Sequence, residues 1–536
     1  MKKLKLVCVA IAMACATPTL AGGLLTNTNQ HVAFDRMMSR EASIGIDGVY
    51  YNPAGVVFMS EGHHLAINWQ LAFQTRTINN DYALFTNNVN NPITPRDFKG
   101  TAFAPVIPSF QYAYNKGKWS FQASFALTGG GGKCTFDDGL GSFEKIVAET
   151  AIAACGLAGV VDQTLGNTLG QPGMEMFTSD QAFGKTGKYS FNSYMHGRQY
   201  YYGLSVGAAY KFCDNFSAFL GVRGVYALTN YYGYVENINV GNMPLYKVLD
   251  PTKESSANIE LSCDQSGVGF TPIIGVDYKT GRWNFSAKYE FKTRIRLKNK
   301  SVNQTPSIGN LPANLANQMT GILTAKYQQA GLPLEQAKQQ AENTTNAVLN
   351  DPTVGATMIG LKTQFDQKLN RAIGEYEDGK KIAGDIPAYL ALGVGYRPVD
   401  AVRVNVGFHW FDDKNATSYN NRNKELKRGT LEYNAGVEVD VNKKITLSTG
   451  WQNTNYGLSD EYMDDKSFVV SSNSVAIGGV YHINKKMDLN VAYFHTFYQH
   501  KKTTEKVQLT ADRSLNYSSD YTRNNNVFAV GLDINF

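Results

Sequence analysis

The chain reads as an all-β transmembrane protein: a fourteen-stranded antiparallel outer-membrane β-barrel, plugged by an N-terminal hatch and carrying helical insertions in its outer loops. Three observations predict this. Many segments of ten or more residues alternate apolar and polar side chains; tight turns and long polar loops join them in strict succession; and beyond the first residues no apolar run is long enough to cross a bilayer as a helix.

The final stretch alternates most clearly, with Phe528, Val530, Leu532, Ile534 and Phe536 on one face and Ala529, Gly531, Asp533 and Asn535 on the other. The first face suits lipid, the second a lumen. The same period of two runs through Trp119, Phe121, Ala123 and Phe125, through Trp283, Phe285, Ala287, Tyr289 and Phe291, and through Val402, Val404, Val406, Phe408 and Trp410. A soluble sandwich alternates too, but with shorter strands whose apolar faces meet one another. Strands are predicted near 63–77, 102–115, 118–128, 194–212, 216–233, 258–279, 283–300, 381–397, 402–415, 427–441, 445–457, 472–484, 487–505 and 518–536, an even count, as single-chain bacterial barrels require. Turn-forming residues supply the tight connections, among them Asn115-Lys116-Gly117-Lys118, Thr280-Gly281 and Asn442-Lys443-Lys444. Six short turns then face the periplasm and seven longer loops the outside, with both termini inside.

Composition narrows the function classes. A formal charge of +6 invites a nucleic-acid reading, but the basic residues are dispersed among acidic ones with no aromatic-interleaved patch, so the charge is assigned to solvated loops and lumen and no nucleic-acid partner is expected. Lys2, Lys3 and Lys5, the apolar run Leu6 to Ala16 and the small-x-small site Thr19-Leu20-Ala21 read as a cleaved signal peptide over 1–21. Export leaves Cys134, Cys155, Cys213 and Cys263 in an oxidising compartment, where a bridge such as Cys134 to Cys155 and free buried thiols are both open.

A fourteen-stranded barrel encloses a lumen that must be filled or blocked, and residues 22–60, ahead of the first strand, are the natural plug. This segment carries Gly22-Gly23-Leu24-Leu25 and then Ala42-Ser43-Ile44-Gly45-Ile46-Asp47-Gly48-Val49-Tyr50-Tyr51-Asn52-Pro53-Ala54-Gly55. In these residues it resembles the N-terminal hatch of the OMPP1/FadL/TodX family of outer-membrane transporters of long-chain fatty acids and hydrocarbons, in which Asn-Pro-Ala is the hatch signature. Ile107-Pro108-Ser109-Phe110, Phe125-Ala126-Leu127-Thr128 with Gly129 to Gly132, and the proline-led Asp385-Ile386-Pro387-Ala388 through Arg397-Pro398 extend the resemblance over the barrel (61–536).

The resemblance implies passive, ligand-gated movement of a hydrophobic molecule through hatch rearrangement, with lateral release into the outer leaflet. Pro53 fixes its own φ and pushes Asn52 out of helical space, so Asn52, Pro53 and Ala54 hold the hatch in a bend; the bend is a packed turn that supports the plug or, as the resemblance implies, one that fills the lumen and shifts when ligand arrives. Gly129, Gly130, Gly131 and Gly132 stand at the end of the third strand, where four glycines cannot sustain a regular ladder. They serve as a loop root or, as the resemblance implies, a kink that opens the wall. Leu24 and Leu25 resemble the apolar start of the hatch that approaches the internal pocket. Arg36, Arg40 and Arg403, with Lys288, are the candidate partners for an acidic head group, against the alternative of paired lumen charges.

Two long outer loops, near 129–193 and 301–380, have room for function. The first reads as one or two short apolar helices over 143–170. The second reads as amphipathic helices broken at Gly331-Leu332-Pro333 and Asp351-Pro352. They form either a self-packed cap or a ligand-capturing groove.

Enzyme readings lack a constellation. The histidines show no catalytic pairing, and neighbouring His63 and His64 point to opposite faces of a strand and cannot share an ion; no cofactor or metal is expected. The expected partners are a hydrophobic small molecule, outer-membrane lipid and the barrel-assembly machinery, reached through C-terminal Phe536, with the chain a monomer. The competing class is a porin-like or adhesive barrel for hydrophilic solutes or surface binding.

Overall fold

The computed structural model describes residues 24–306, 308–510 and 513–536; the expected signal peptide and Gly22-Gly23 lie outside them. The chain forms one closed antiparallel sheet of fourteen strands. In order these are β1 (Gly62–Tyr82), β2 (Arg96–Lys116), β3 (Trp119–Phe136), β4 (Tyr189–Lys211), β5 (Phe216–Val240), β6 (Ile259–Thr280), β7 (Trp283–Glu290, continued by Arg296–Ser301), β8 (Lys381–Ala383, continued by Tyr389–Val399), β9 (Val402–Phe411), β10 (Thr430–Asn442), β11 (Ile445–Asn455), β12 (Ser472–Asn484), β13 (Met487–Tyr498, continued by Lys501–Thr510) and β14 (Arg513–Asn535). Each pairs with its sequence neighbour, and β1 pairs with both β2 and β14, from His64 opposite Asn535 to Tyr82 opposite Tyr517. Among the described residues the ring closes on itself, with one long gap in the β2–β3 ladder between Thr101 and Phe110.

Alternation sets the two faces. Along β6, Phe270 is 70% exposed and Val276 42%, whereas Thr271, Ile273 and Asp277 face inward and are buried. At the C-terminus Phe528 and Val530 point out while Val527 and Ala529 point in. A continuous belt of exposed apolar side chains is the surface that lipid covers. The tight turns gather at one end, and the long insertions at the other.

Several strands run further outward than their apolar alternation predicts, β5 reaching 25 residues. Hairpin pairing continues past the lipid band on polar pairs such as Asn79 with Asp97, whose side chains hydrogen-bond at 2.7 Å. The glycine run is likewise not at the end of β3: the strand passes through it and continues to Phe136.

Above the mouth lie α3 (Gly141–Leu169) and a trio, α5 (Leu311–Gln329), α6 (Leu334–Leu349) and α7 (Pro352–Ile373); α4 (Tyr246–Leu249) is a single turn, and α1 (Val32–Asp35) and α2 (Gly48–Tyr51) belong to the N-terminal segment. The trio breaks where predicted, Asp351 capping α7 by accepting from the Thr353 and Val354 amides. The 143–170 region is a single helix, the first of the two expected alternatives, but at 29 residues it is longer than expected, and by length and apolarity it could cross a membrane. Tertiary contacts carry it through Gly156 and Gly159. Its buried Glu144 accepts from Asn88 Nδ2 and Tyr189 OH (both 2.9 Å) and pairs with Arg96. Asp162 takes the Met176, Phe177 and Thr178 amides, while Asp465, from the β11–β12 loop, takes the Ser142 amide at 2.8 Å. The helix is thereby fastened across the barrel mouth. The four cysteines among the described residues are free thiols, so no bridge joins Cys134 to Cys155.

Candidate functional site

Residues 26–42 and 46–57 are buried, and the groups that bury them belong to the barrel. Asn29 and Gln70 of β1 exchange two hydrogen bonds (2.7 and 2.9 Å), and Ser109 and Gln111 of β2 both donate to the Gln30 carbonyl (2.7 Å). Glu41 meets His409 of β9 (2.8 Å), which in turn meets Glu432 of β10 (2.9 Å). Phe34 stacks on Tyr51 with ring centroids 5.1 Å apart and packs on lumen-facing Ala72, Ala476, Phe494 and Val527. Glycine makes the fit possible at Gly450, where a Cβ would coincide with the Met37 carbonyl.

Asn52, Pro53 and Ala54 are fastened to three strands. Asn52 sits at φ −139°, outside the helical region. Its amide donates to Asp277 of β6 at 2.5 Å, Gln122 of β3 donates to the Pro53 carbonyl (2.7 Å), and Ser217 of β5 donates to the Ala54 carbonyl (2.7 Å).

The glycine run interrupts the wall. β2 and β3 pair from Phe110–Phe125 down to the Lys116–Trp119 turn and again at Thr101–Thr135, but not between; on the other side β3 meets β4 with shifts at Leu127/Gly129 and Gly130/Gly132. Gly130 has φ +74°, and a Cβ there would lie 2.7 Å from the Gln199 carbonyl oxygen. Backbone groups that lose β2 must find other partners. The N-terminal segment supplies them: the Asn27 amide N–H donates to Thr128 O and the Gly130 amide to Leu25 O (3.0 and 3.1 Å), while Asn27 Nδ2 reaches Gly130 O (2.8 Å) and Gln30 Nε2 reaches Leu127 O (2.9 Å). Leu25 also covers an apolar patch of Tyr201, Ile295, Leu297 and Ile382 inside the wall. Leu24 donates its amide to Asp413 Oδ1 at 3.2 Å, and Thr430 donates to Oδ2 at 2.9 Å.

Burial pushes the Asp413 carboxyl up to about 6, against the lowering pull of these hydrogen bonds. Because burial outweighs the hydrogen bonds, the closed site binds this proton more tightly than a hydrated one, and protonation favours the closed segment while the carboxyl keeps its acceptor capacity. Amide exchange should find residues 24–27 more protected at about pH 5 than at about pH 7, after correction for intrinsic rates. Equal or lower protection would show that opening of residues 24–27 does not hydrate Asp413.

Arg36, Arg40 and Arg403 do not gather around Leu24 and Leu25. They converge on Glu438 of β10: Arg36 pairs with it directly, Arg40 at 3.6 Å and Arg403 at 2.5 Å, while Arg40 also holds Asp47 (2.7 Å) and Arg403 holds Asp440. Lys288 is shared by Glu290 (3.0 Å) and the Tyr50 carbonyl (2.6 Å). Below the three arginines a polar cavity of about 960 Å³ opens at the turn end, among Arg282, Asp400, Lys443 and Asp488.

Sequence reasoning missed four features. Asn27 and Gln30 carry no pattern that marks them. Glu438 faces Arg403 in register, a pairing readable only once β9 and β10 are aligned. Arg76 and Arg523 stand opposite each other on β1 and β14. Among the described residues neither has a carboxylate within 4.0 Å; Arg76 donates to Gln74 (3.1 Å), and buried Arg523 lies over Phe468 with its Nε unpartnered. Lastly, α3, α5 and α7 enclose an apolar cavity of about 110 Å³, bordered by Leu157, Val161, Leu249, Leu315, Leu361 and Phe365, with the Lys368–Glu149 pair at its edge. An apolar space a little larger than this stays dry and takes one benzene ring, so a long chain would have to part the helices.

Fold and site together define a class: a closed fourteen-stranded membrane barrel whose lumen is occupied by the chain's own N-terminal segment. No protein-family profile matches the chain, and no curated protein matches it in sequence. Solved structures do. A FadL homologue of Pseudomonas aeruginosa aligns over 96% of this chain and 100% of its own, at 13% identity and a TM-score of 0.59. A TodX deltaS2S3 mutant, described as a monoaromatic hydrocarbon channel, aligns over 96% and 100%, at 13% identity and a TM-score of 0.51. The P. putida toluene transporter TodX aligns over 92% and 94%, at 12% identity and a TM-score of 0.49. The chain has the FadL-type fold, an architecture of outer-membrane barrels, and the proteins that share it are transporters and channels.

Proposed function

We propose that this barrel carries a hydrophobic small molecule across the outer membrane down its gradient, by drawing its N-terminal hatch (22–60) off the break between β2 and β3. One observation carries the reading: the stretch of β3 that loses β2 is held by Leu25, Asn27 and Gln30, and Leu25 also covers an apolar patch. Asn52, Pro53 and Ala54, fastened to three strands, act as the fixed point, and residues 24–30 as the part that moves. The apolar cavity under α3 supports first capture at the outer mouth. That solved barrels of this fold are named for toluene and monoaromatic hydrocarbons supports a hydrophobic cargo. The signal peptide (1–21), recognition of Phe536 by the assembly machinery and a monomeric state belong to the same reading.

Arg76 and Arg523 favour a cargo with an acidic group, since two facing guanidiniums lack a counter-ion. Arg523→Gln should then lower uptake of a long-chain fatty acid on the order of tenfold, about the loss of one charge-assisted hydrogen bond, and leave uptake of a neutral aromatic hydrocarbon unchanged. An equal fall for both would assign Arg523 to the fold alone.

The polar cavity at the turn end favours a second reading, passage of hydrophilic solutes. Uptake of radiolabelled fatty acid, radiolabelled toluene and a small hydrophilic dye by cells lacking their own transporter, with and without this chain, separates the two. Uptake of either hydrophobic compound with the dye excluded supports the proposal; dye entry alone replaces it with the porin reading.

A further inference from the structure

Dispersed charge is the composition-level impression, but one strand departs from it. From Lys292 to Lys300 every second residue is cationic, Lys292 and Arg294 in the break between the two pieces of β7 and Arg296, Lys298 and Lys300 on its continuation, and Lys381 of β8 stands directly opposite Lys298. The intervening Thr293, Ile295, Leu297 and Asn299 point inward and are buried. The cations therefore project from the outside of the barrel. Asp385 takes Arg296 (3.0 Å) and Lys292 (3.9 Å). Arg294, Lys298, Lys300 and Lys381 are exposed and, among the described residues, have no carboxylate within 4.0 Å. Asp264, across from Lys300, accepts instead from Asn230 (2.8 Å). Like charges directly opposite one another destabilise a sheet, so folding gives no reason for Lys298 beside Lys381.

Height decides the partner. Trp283, Phe285 and Phe291 are the exposed apolar side chains of the same strand face. At ~3.3 Å per residue and a tilt of ~40°, Trp283 to Phe291 climbs ~20 Å, most of the ~25 Å apolar band of such barrels. The ladder thus begins at the outer edge of the band and continues roughly 15 Å beyond it. Lipid head groups lie there, and unpaired lysines and arginines at that level select phosphate.

We propose that the outer face of β7 and β8 binds the phosphate groups of the outer-leaflet glycolipid, an annular site separate from the transport path. The inference rests on the outer-membrane placement of the barrel but on no particular cargo, and uptake is not read in its test. The full-length protein, purified in detergent, is titrated with bisphosphorylated lipid A, with the same lipid stripped of its phosphates and with inorganic phosphate, and binding is followed by native mass spectrometry. Wild type should prefer the phosphorylated lipid by about tenfold, and the variant with Arg294→Ser, Lys298→Ser, Lys300→Ser and Lys381→Ser should lose that preference while keeping heat-modifiable migration on gels. If that variant misfolds, Lys298→Gln with Lys381→Gln, which removes a repulsive pair, should show a partial loss. Equal affinity for the phosphate-free lipid, an unchanged preference in the folded variant, or saturation of the face by inorganic phosphate would each overturn the proposal.

Discussion

Replacing Gly130 by valine is expected to abolish hydrophobic uptake while leaving a folded barrel in the membrane. Gly130 has φ +74°, a region that costs a branched L-residue roughly 1–2 kcal/mol or more. The new Cβ would also lie 2.7 Å from Gln199 O and 2.9 Å from Gln199 C, both backbone atoms of β4 that cannot swing aside. The strand must relax towards negative φ, which straightens β3 and brings its carbonyls back towards β2. The break then closes, or Leu25 and Asn27 lose their partners; on either path the proposed release route is rebuilt. Uptake at matched surface levels should fall by at least about tenfold, the effect of ~1.4 kcal/mol on the rate-limiting step. Gly156→Ala, where an added Cβ meets nothing within 4 Å, is the control. Uptake by Gly130→Val within twofold of wild type would refute a release path through β3.

The second large effect is expected at Glu438. Its carboxylate is shared by three guanidiniums, but their dependence on it differs: Arg40 keeps Asp47 and Arg403 keeps Asp440, whereas Arg36 loses the one carboxylate it pairs with among the described residues. Removing one partner of a buried pair costs about 3–5 kcal/mol, because the remaining charge stays desolvated. Glu438→Gln should therefore loosen the segment around α1 and admit water along the lumen. Raised influx of a small hydrophilic dye in intact cells, with new protease sensitivity near Arg36, is the expected result. A variant as tight to dye as wild type would show that the lumen is sealed by the remaining contacts alone.

Much of the barrel was legible in the sequence because its signals are local. Period-two alternation, lysine-rich turns and the Gly331-Leu332-Pro333 break each act within a few residues, and all fourteen predicted strands overlap observed ones. Features that depend on register were not legible. Whether Gly129 to Gly132 end a strand or bulge within it is settled by pairing with β4, far along the chain. Arg36, Arg40 and Arg403 were visible as lumen cations, but their common partner lies on a fourth element, and the unpaired Arg76 and Arg523 meet only because the first and last strands close the sheet. The full length of helix α3 was not legible, because its glycines weaken the local signal and the carboxylates that fasten it, such as Asp465, come from distant loops.

Closure of the sheet by its two ends also imposes a sequence of events. Strand β14 is the last to emerge in any N-to-C delivery, and its zipper to β1 finishes with the Phe536 amide on the His63 carbonyl at 2.9 Å. Residues 24–60 immediately precede β1 and end up encircled, with 26–42 and 46–57 buried. Sealing the seam therefore also fixes the volume that this segment has to fill, so one ring closure sets both the wall and the fit of what lies inside it.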